Sequence, residues 1–95
     1  MVVAEFSITP VVSDEMRPFI DAAVDEIKKS GLKYEVEAMG TTIEGEIDDI
    51  LNVIRKAHEA VKKMGVNRIL MEIRIDDKAS GVTMQDEVSG YRSSV

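Results

Sequence analysis

The stretch YEVEAMGTTIEGE (34–46) carries glutamates at 35, 37, 44 and 46. Carboxylates gathered in so short a segment are suited to receiving a cation, and the wider balance agrees: twelve basic against eighteen acidic residues leave a formal charge of −6. An acidic chain suits a cationic small ligand or a basic partner, and equally it suits plain solubility. It does not suit nucleic acid, whose affinity is drawn from cationic contacts to phosphate. Four aromatics, Phe6, Phe19, Tyr34 and Tyr91, leave little to stack on bases.

Other chemistry is thin. The chain has no cysteine and one histidine, His58, so neither a thiol nucleophile nor a zinc site can be assembled within one copy. His58 follows Leu51 by seven residues and reads as a half-buried structural residue on a helix flank. Asp48–Asp49 and Asp76–Asp77 are adjacent pairs: the first suits the positive end of a helix, the second a strand-end turn. Ser7 lacks a histidine partner in its strand layer. GTTIEG has glycines five apart and no following lysine, unlike a phosphate loop. No metal site, cofactor or catalytic set is therefore expected, and the reading is of a binder and not an enzyme.

The elements that position these residues follow from periodicity. VVAEFSI (2–8) alternates, with Ala4, Phe6 and Ile8 on one side and Val3, Glu5 and Ser7 on the other. Ser13 or Asp14 is placed to cap a helix carrying Phe19, Ile20, Ala23, Val24 and Ile27 at helical spacing, closed by KKSG (28–31) with Gly31 in the left-handed cap. LKYEVEA alternates again, Gly40 marks a turn, and TTIEG returns. A second helix runs from about Glu46 to Met64, its stripe made by Ile47, Ile50, Leu51, Ile54, Ala57, Val61 and Met64; KKMG (62–65) ends it. RILMEIRID (68–76) is the last strand. The order βαββαβ predicts an α+β ferredoxin-like sandwich over residues 1–77: a four-stranded antiparallel sheet, order 4-1-3-2, with two helices on one face. Residues 78–95 read as a polar C-terminal arm, with TMQDEV as one helical turn or a short arm and SGYRSSV frayed.

This arrangement leaves Glu5, Glu35, Glu37, Thr42, Glu44 and Arg74, with Val3, Ser7, Met39 and Leu70, on a sheet face without a helix. Glu46 leaves the set as the start of the second helix. Pairing of the hairpin strands with residue numbers summing to 79 or 81 sets Glu35 or Glu37 beside Glu44. Like charges so placed cost roughly a few tenths to ~1 kcal/mol unless water screens or a cation neutralises them. Three readings are open: a solvated face, a self-complementary sheet-to-sheet dimer in which Arg74 answers a partner's glutamates, or an acid-lined pocket for a cation near such an interface.

VVAEFSITP, GLKYEVEAMGTTIEG and KAHEAVKKMGVNRILMEIRIDD together resemble the family of small thiamine-binding proteins, in register from Val2 to Asp77. The resemblance implies binding of thiamine or a pyrimidine precursor without catalysis, and association into dimers or a homotetramer. It carries over Ser7, Tyr34, Met39, Gly40, Thr41, Ile43, Glu44 and Gly45, with His58; Glu5, Glu35 and Glu37 come from the sheet-face reading. Expected ligand contacts are Ser7, Tyr34, Glu35, Glu37, Met39, Thr41, Thr42 and Glu44. In this set Glu44 with Glu37 or Glu35 meets the charged or amine portion, Ser7 and Thr41 or Thr42 bond polar edges, and Met39 packs on a ring. The competing expectation is a regulatory or oligomerisation module for another effector, such as an amino acid, or for a protein partner. No apolar run is long enough to span a bilayer and no basic leader precedes the first strand, so a cytoplasmic location is expected.

Overall fold

The computed structural model describes residues 1–95. Strands β1 (Val2–Pro10), β2 (Lys33–Val36), β3 (Thr41–Gly45) and β4 (Ile69–Asp76) form one antiparallel sheet in the order β2-β3-β1-β4, the expected order read from its other edge. Helices α1 (Arg17–Lys29) and α2 (Ile47–Lys62) pack on one face against β1, β2 and β3. Between the layers lie Ala4, Phe6 and Ile8 of β1, Ala23 and Ile27 of α1, Ile43 of β3, and Ile50, Val53, Ile54, Ala57 and Val61 of α2.

Local chemistry explains the element ends. Neither Ser13 nor Asp14 caps α1: the helix starts after Met16, Pro18 sits in the first turn where a missing N–H costs nothing, and the Glu15 carboxylate accepts from the Arg17 amide at 3.0 Å. Lys28 and Lys29 meet the negative end, and Gly31 takes a positive φ of 77° just beyond it. Asp48 and Asp49 occupy the first turn of α2. Its buried arc is rotated from the expected stripe: Val53 is buried, while Ile47, Leu51 and Met64 are exposed. The reason is that α2 packs against α1 as well as against the sheet.

Three expectations about the sheet are corrected. First, β2 and β3 pair with numbers summing to 77, so Glu35 faces Thr42 and Lys33 faces Glu44. No glutamates stand opposite each other, and the like-charge penalty is avoided. Second, the apolar residues of β4 are not under the helices. Met71, Ile73 and Ile75 share a side with Ala4, Phe6 and Ile8 but remain 37–40% exposed, because β4 is an edge strand beyond the helices' main contacts.

Third, the other sheet face is not bare, and SGYRSSV does not simply fray. A short helix α3 (Met84–Val88) crosses it, and the chain beyond returns over the sheet. Thr83 and Asp86 form a reciprocal capping box, with the Asp86 amide donating to Thr83 Oγ1 at 3.1 Å and the Thr83 amide to Asp86 Oδ2 at 3.0 Å. The Met84 amide donates to Glu44 Oε1 at 2.7 Å. Val82 and Met84 bury Val3, the one apolar residue that β1 presents on this side, and Val95 packs against the same cluster. Against these anchors stands Glu87. Its carboxyl is pushed above the ordinary value of 4.5 by a hydrogen bond shared with Asp76 at the end of β4, then by loss of hydration and by the charge of Asp76.

Two outcomes are expected. Ile50 is fully buried, so Ile50→Ala removes packed methyl groups and lowers unfolding stability by about 2–5 kcal/mol, read as a shifted denaturant midpoint at unchanged slope. Glu87 holds its proton more tightly with α3 docked than in an undocked chain. Docking is therefore unpenalised below 4.5 and weakens as pH climbs through the raised value. Amide exchange in α3, corrected for intrinsic rates, should speed up across that window in the native chain and stay level in Glu87→Gln.

Candidate functional site

Four residues form a row straight across the sheet on the α3 side: Glu35, Thr42, Glu5 and Arg74. Alternation fixes their common face, and the register fixes their order. Between this row and the C-terminal arm lies a cavity of about 440 Å³, within the usual size range for small-molecule sites. Its polar wall holds Glu5, Glu35, Glu37, Asp76 and Glu87 against two arginines, Arg74 and Arg92. Its apolar wall is Val3, Ile75, Met84, Val88 and Val95.

The acid corner at β2 and β3 is ordered by specific bonds. Thr42 Oγ1 donates to Glu37 Oε1 at 2.5 Å, which turns that carboxylate toward the row. The Glu37 amide donates to the Gly40 carbonyl at 2.8 Å and closes the β2–β3 turn. Gly40 fits closely there: a Cβ at this position would stand 3.0 Å from the Phe6 carbonyl oxygen, and the backbone would have to give by a few tenths of an ångström to admit it. The Arg92 guanidinium, brought back from the far end of the chain, makes an ion pair with Glu35. That bond, with the charges of Glu35 and Glu37, raises the arginine's pKa further above its ordinary value. Glu35 and Glu37 thus already attract one planar cation.

The expected site residues divide between two places. Glu35, Glu37 and Thr42 line the cavity with Glu5. Glu44 shares their face, but its carboxylate is engaged by the Met84 amide, so it anchors the arm. Ser7, Met39 and Thr41 line a second, largely apolar cleft of about 260 Å³ between α1 and the β2–β3 turn, with Met16, Ile20 and Val36. Glu37 borders both. Thr41 is buried opposite Phe6 on the helix side, while Met39 projects from the turn, 90% exposed. Tyr34 pairs with Ile43 and packs against the helix-side core, away from the larger cavity. His58 is half-buried on α2 and lines neither cavity.

Residues of the arm, Met84, Glu87, Val88, Arg92 and Val95, were not among the expected contacts. One signal for them stands in the sequence: Thr83 followed three residues later by Asp86 is a capping-box pattern that announces a helix start. Nothing local announces that this helix docks on Val3. Chemically, a corner of several carboxylates beside an apolar wall suits a flat or compact cation.

The family described as thiamine-binding protein matches residues 4–92. A UPF0045 protein from Clostridium perfringens is 38% identical over 86 residues, covering 90% of each chain, and one from Methanothermobacter thermautotrophicus is 30% identical over the full length of both. Among solved structures, a Bacillus cereus domain described as of unknown function superposes with a TM-score of 0.89 at 35% identity, covering 97% of this chain and 90% of the other. A Thermotoga maritima protein described as a candidate for thiamine biosynthesis or salvage superposes with a TM-score of 0.88 at 33% identity, over 96% and 98% of the two chains. The match reaches from the first strand through α3 to Arg92, and the chain belongs to the thiamine-binding protein family.

Proposed function

We propose that this protein binds thiamine, or a related pyrimidine or thiazolium compound, without catalysis, in the cavity between the sheet and the C-terminal arm. The observation that carries the reading is the pairing of a five-carboxylate wall with an apolar wall in a chain of this family. Thiamine brings a permanently charged thiazolium and an aminopyrimidine with hydrogen-bond donors. Glu35 and Glu37 receive the cation or the amine, Thr42 orients Glu37, and Val3, Met84 and Val88 pack on a ring face. Glu44 acts at one remove, by holding Met84. Ser7, Met39 and Thr41 serve a ligand that extends past Glu37 into the second cleft. Phosphate esters are disfavoured, because five carboxylates against two arginines repel added negative charge. The role in the cell is that of a cytoplasmic carrier, buffer or sensor, and self-association to a dimer or tetramer accompanies it.

Calorimetry with thiamine at low salt tests the site. Glu35→Gln is expected to weaken binding about tenfold or more, the scale of one lost charge-assisted hydrogen bond. Arg92→Ala is expected to tighten it several-fold, since the guanidinium occupies the same carboxylate. Unchanged affinity in both Glu35→Gln and Glu37→Gln would remove the assignment. A thermal-shift screen over thiamine, its phosphates, hydroxymethylpyrimidine and common amino acids tests the ligand class. Stabilisation by amino acids alone would instead favour a ferredoxin-like effector module.

A further inference from the structure

The C-terminal arm is fastened in two stages. α3 is fixed by its capping box, by the Met84 amide on Glu44 and by the packing of Val82 and Met84 on Val3. Beyond it, residues 89–94 are all exposed, Tyr91 at 89%. The Tyr91 and Arg92 amides donate to the Val88 carbonyl at 2.8 and 3.0 Å, which only folds this segment back on α3. Gly90, at a positive φ of 89°, makes the bend between them. What ties the segment to the sheet is the ion pair of Arg92 with Glu35, 57 residues away, with Val95 resting against the Val3 cluster.

Arg92 itself has the chemistry of a ligand. Its guanidinium is a flat cation with fixed N–H donors, seated on Glu35 with the charge of Glu37 beside it. The two side chains are 44% and 28% exposed, and an ion pair in contact with water is weak enough to exchange. A second flat cation at this corner must take Glu35 from the first.

We propose that Arg92 is a built-in competitor for the cation site, and that a cationic ligand taking Glu35 releases residues 89–95 from the sheet while α3 stays docked. This holds only if Glu35 receives the ligand's charge, as in the thiamine site proposed for the cavity, and it adds what that occupancy does to the chain. One ion pair is exchanged for another, so no carboxylate of the corner is left unpaired at either stage. The ligand also meets Met84 and Val88, which keeps the α3 wall in place through the exchange. Coupling of this kind is reciprocal: whatever favours the released segment tightens the ligand, and whatever pins the segment weakens the ligand by the same factor.

A probe on the segment tests the exchange. The chain has no cysteine, so Ser94→Cys accepts a single nitroxide whose mobility is read by electron paramagnetic resonance. Thiamine should convert a restricted signal into a mobile one, with a midpoint that matches the calorimetric Kd. Adding Arg92→Ala should make the signal mobile before any thiamine and leave thiamine nothing to change. A nitroxide on α3, at Gln85→Cys, should gain no mobility in either case. Salt gives an independent reading. Exchanging one ion pair for another is screened on both sides, whereas in Arg92→Ala a pair forms and none breaks. Added salt should therefore weaken thiamine binding less in the native chain than in Arg92→Ala, and the variant's several-fold advantage should shrink. Circular dichroism verifies the fold of each variant. Thiamine that binds by calorimetry while the Ser94→Cys label stays restricted overturns the proposal and leaves the ligand assignment standing. So does a label that is equally mobile with and without Arg92, or an α3 label that loosens together with it. Thiamine that does not bind at all removes the ligand assignment, and the proposal with it.

Discussion

A valine on the open side of the central strand organises much of what lies above the sheet. β1 has neighbours on both edges and helices beneath it, and Val3 points the other way, flanked in the sheet by Glu44 and Asp76. Leaving it bare would expose apolar surface in the middle of a charged face, and covering it stabilises the fold by about 25 cal/mol per Å² of surface removed from water. Val82 and Met84 supply the cover, and Val3 falls to 8% exposed. Once they are seated, the remaining arm has few places to go. Arg92 reaches Glu35, Glu87 is forced beside Asp76, and an open cavity lies between the arm and the sheet.

The acid-rich face is stable because the register spreads its charges. Glu5 has Thr42 on one side and Arg74 on the other, Glu35 has Thr42, and Glu44 has Lys33 and Val3. Hydroxyl and cation thus separate carboxylates that sequence distance alone would crowd together. The remaining unfavourable contact, Glu87 with Asp76, is placed at the rim, where ionisation works against docking of the arm and not against the core.

Much of the architecture was legible in the sequence because it rests on local periodicity. Alternating Ala4, Phe6 and Ile8, the helical repeat through Ile27 and the paired endings at Gly31 and Gly65 each announce an element without reference to the rest of the chain. Strand order followed from the element order and the chirality of crossovers. The hairpin register was not legible, since sums of 77, 79 and 81 all keep Tyr34, Val36 and Ile43 on one face; the observed length of the 37–40 turn decided among them. The exposure of Ile73 was also hidden, because alternation gives the side a residue faces and not whether a helix reaches that far. For the cavity, Glu35, Glu37 and Thr42 were reachable from alternation. Arg92 was not, because its partner lies 57 residues away and only the docking of Met84 brings the two together.

The bond between Glu44 and the Met84 amide spans forty residues and fastens a five-residue helix to the sheet. So short a helix has no stability of its own, and its docking rests on a cap, one hydrogen bond, a small apolar cluster and the Arg92–Glu35 pair. The cavity accordingly exists only while the arm is down, because the arm forms one of its walls. A ligand that needs this wall favours the docked arm over any undocked one, since only the docked arm completes the site. The C-terminal arm is then where the ligand's presence can be read from outside the molecule, by any agent that distinguishes a tethered tail from a free one.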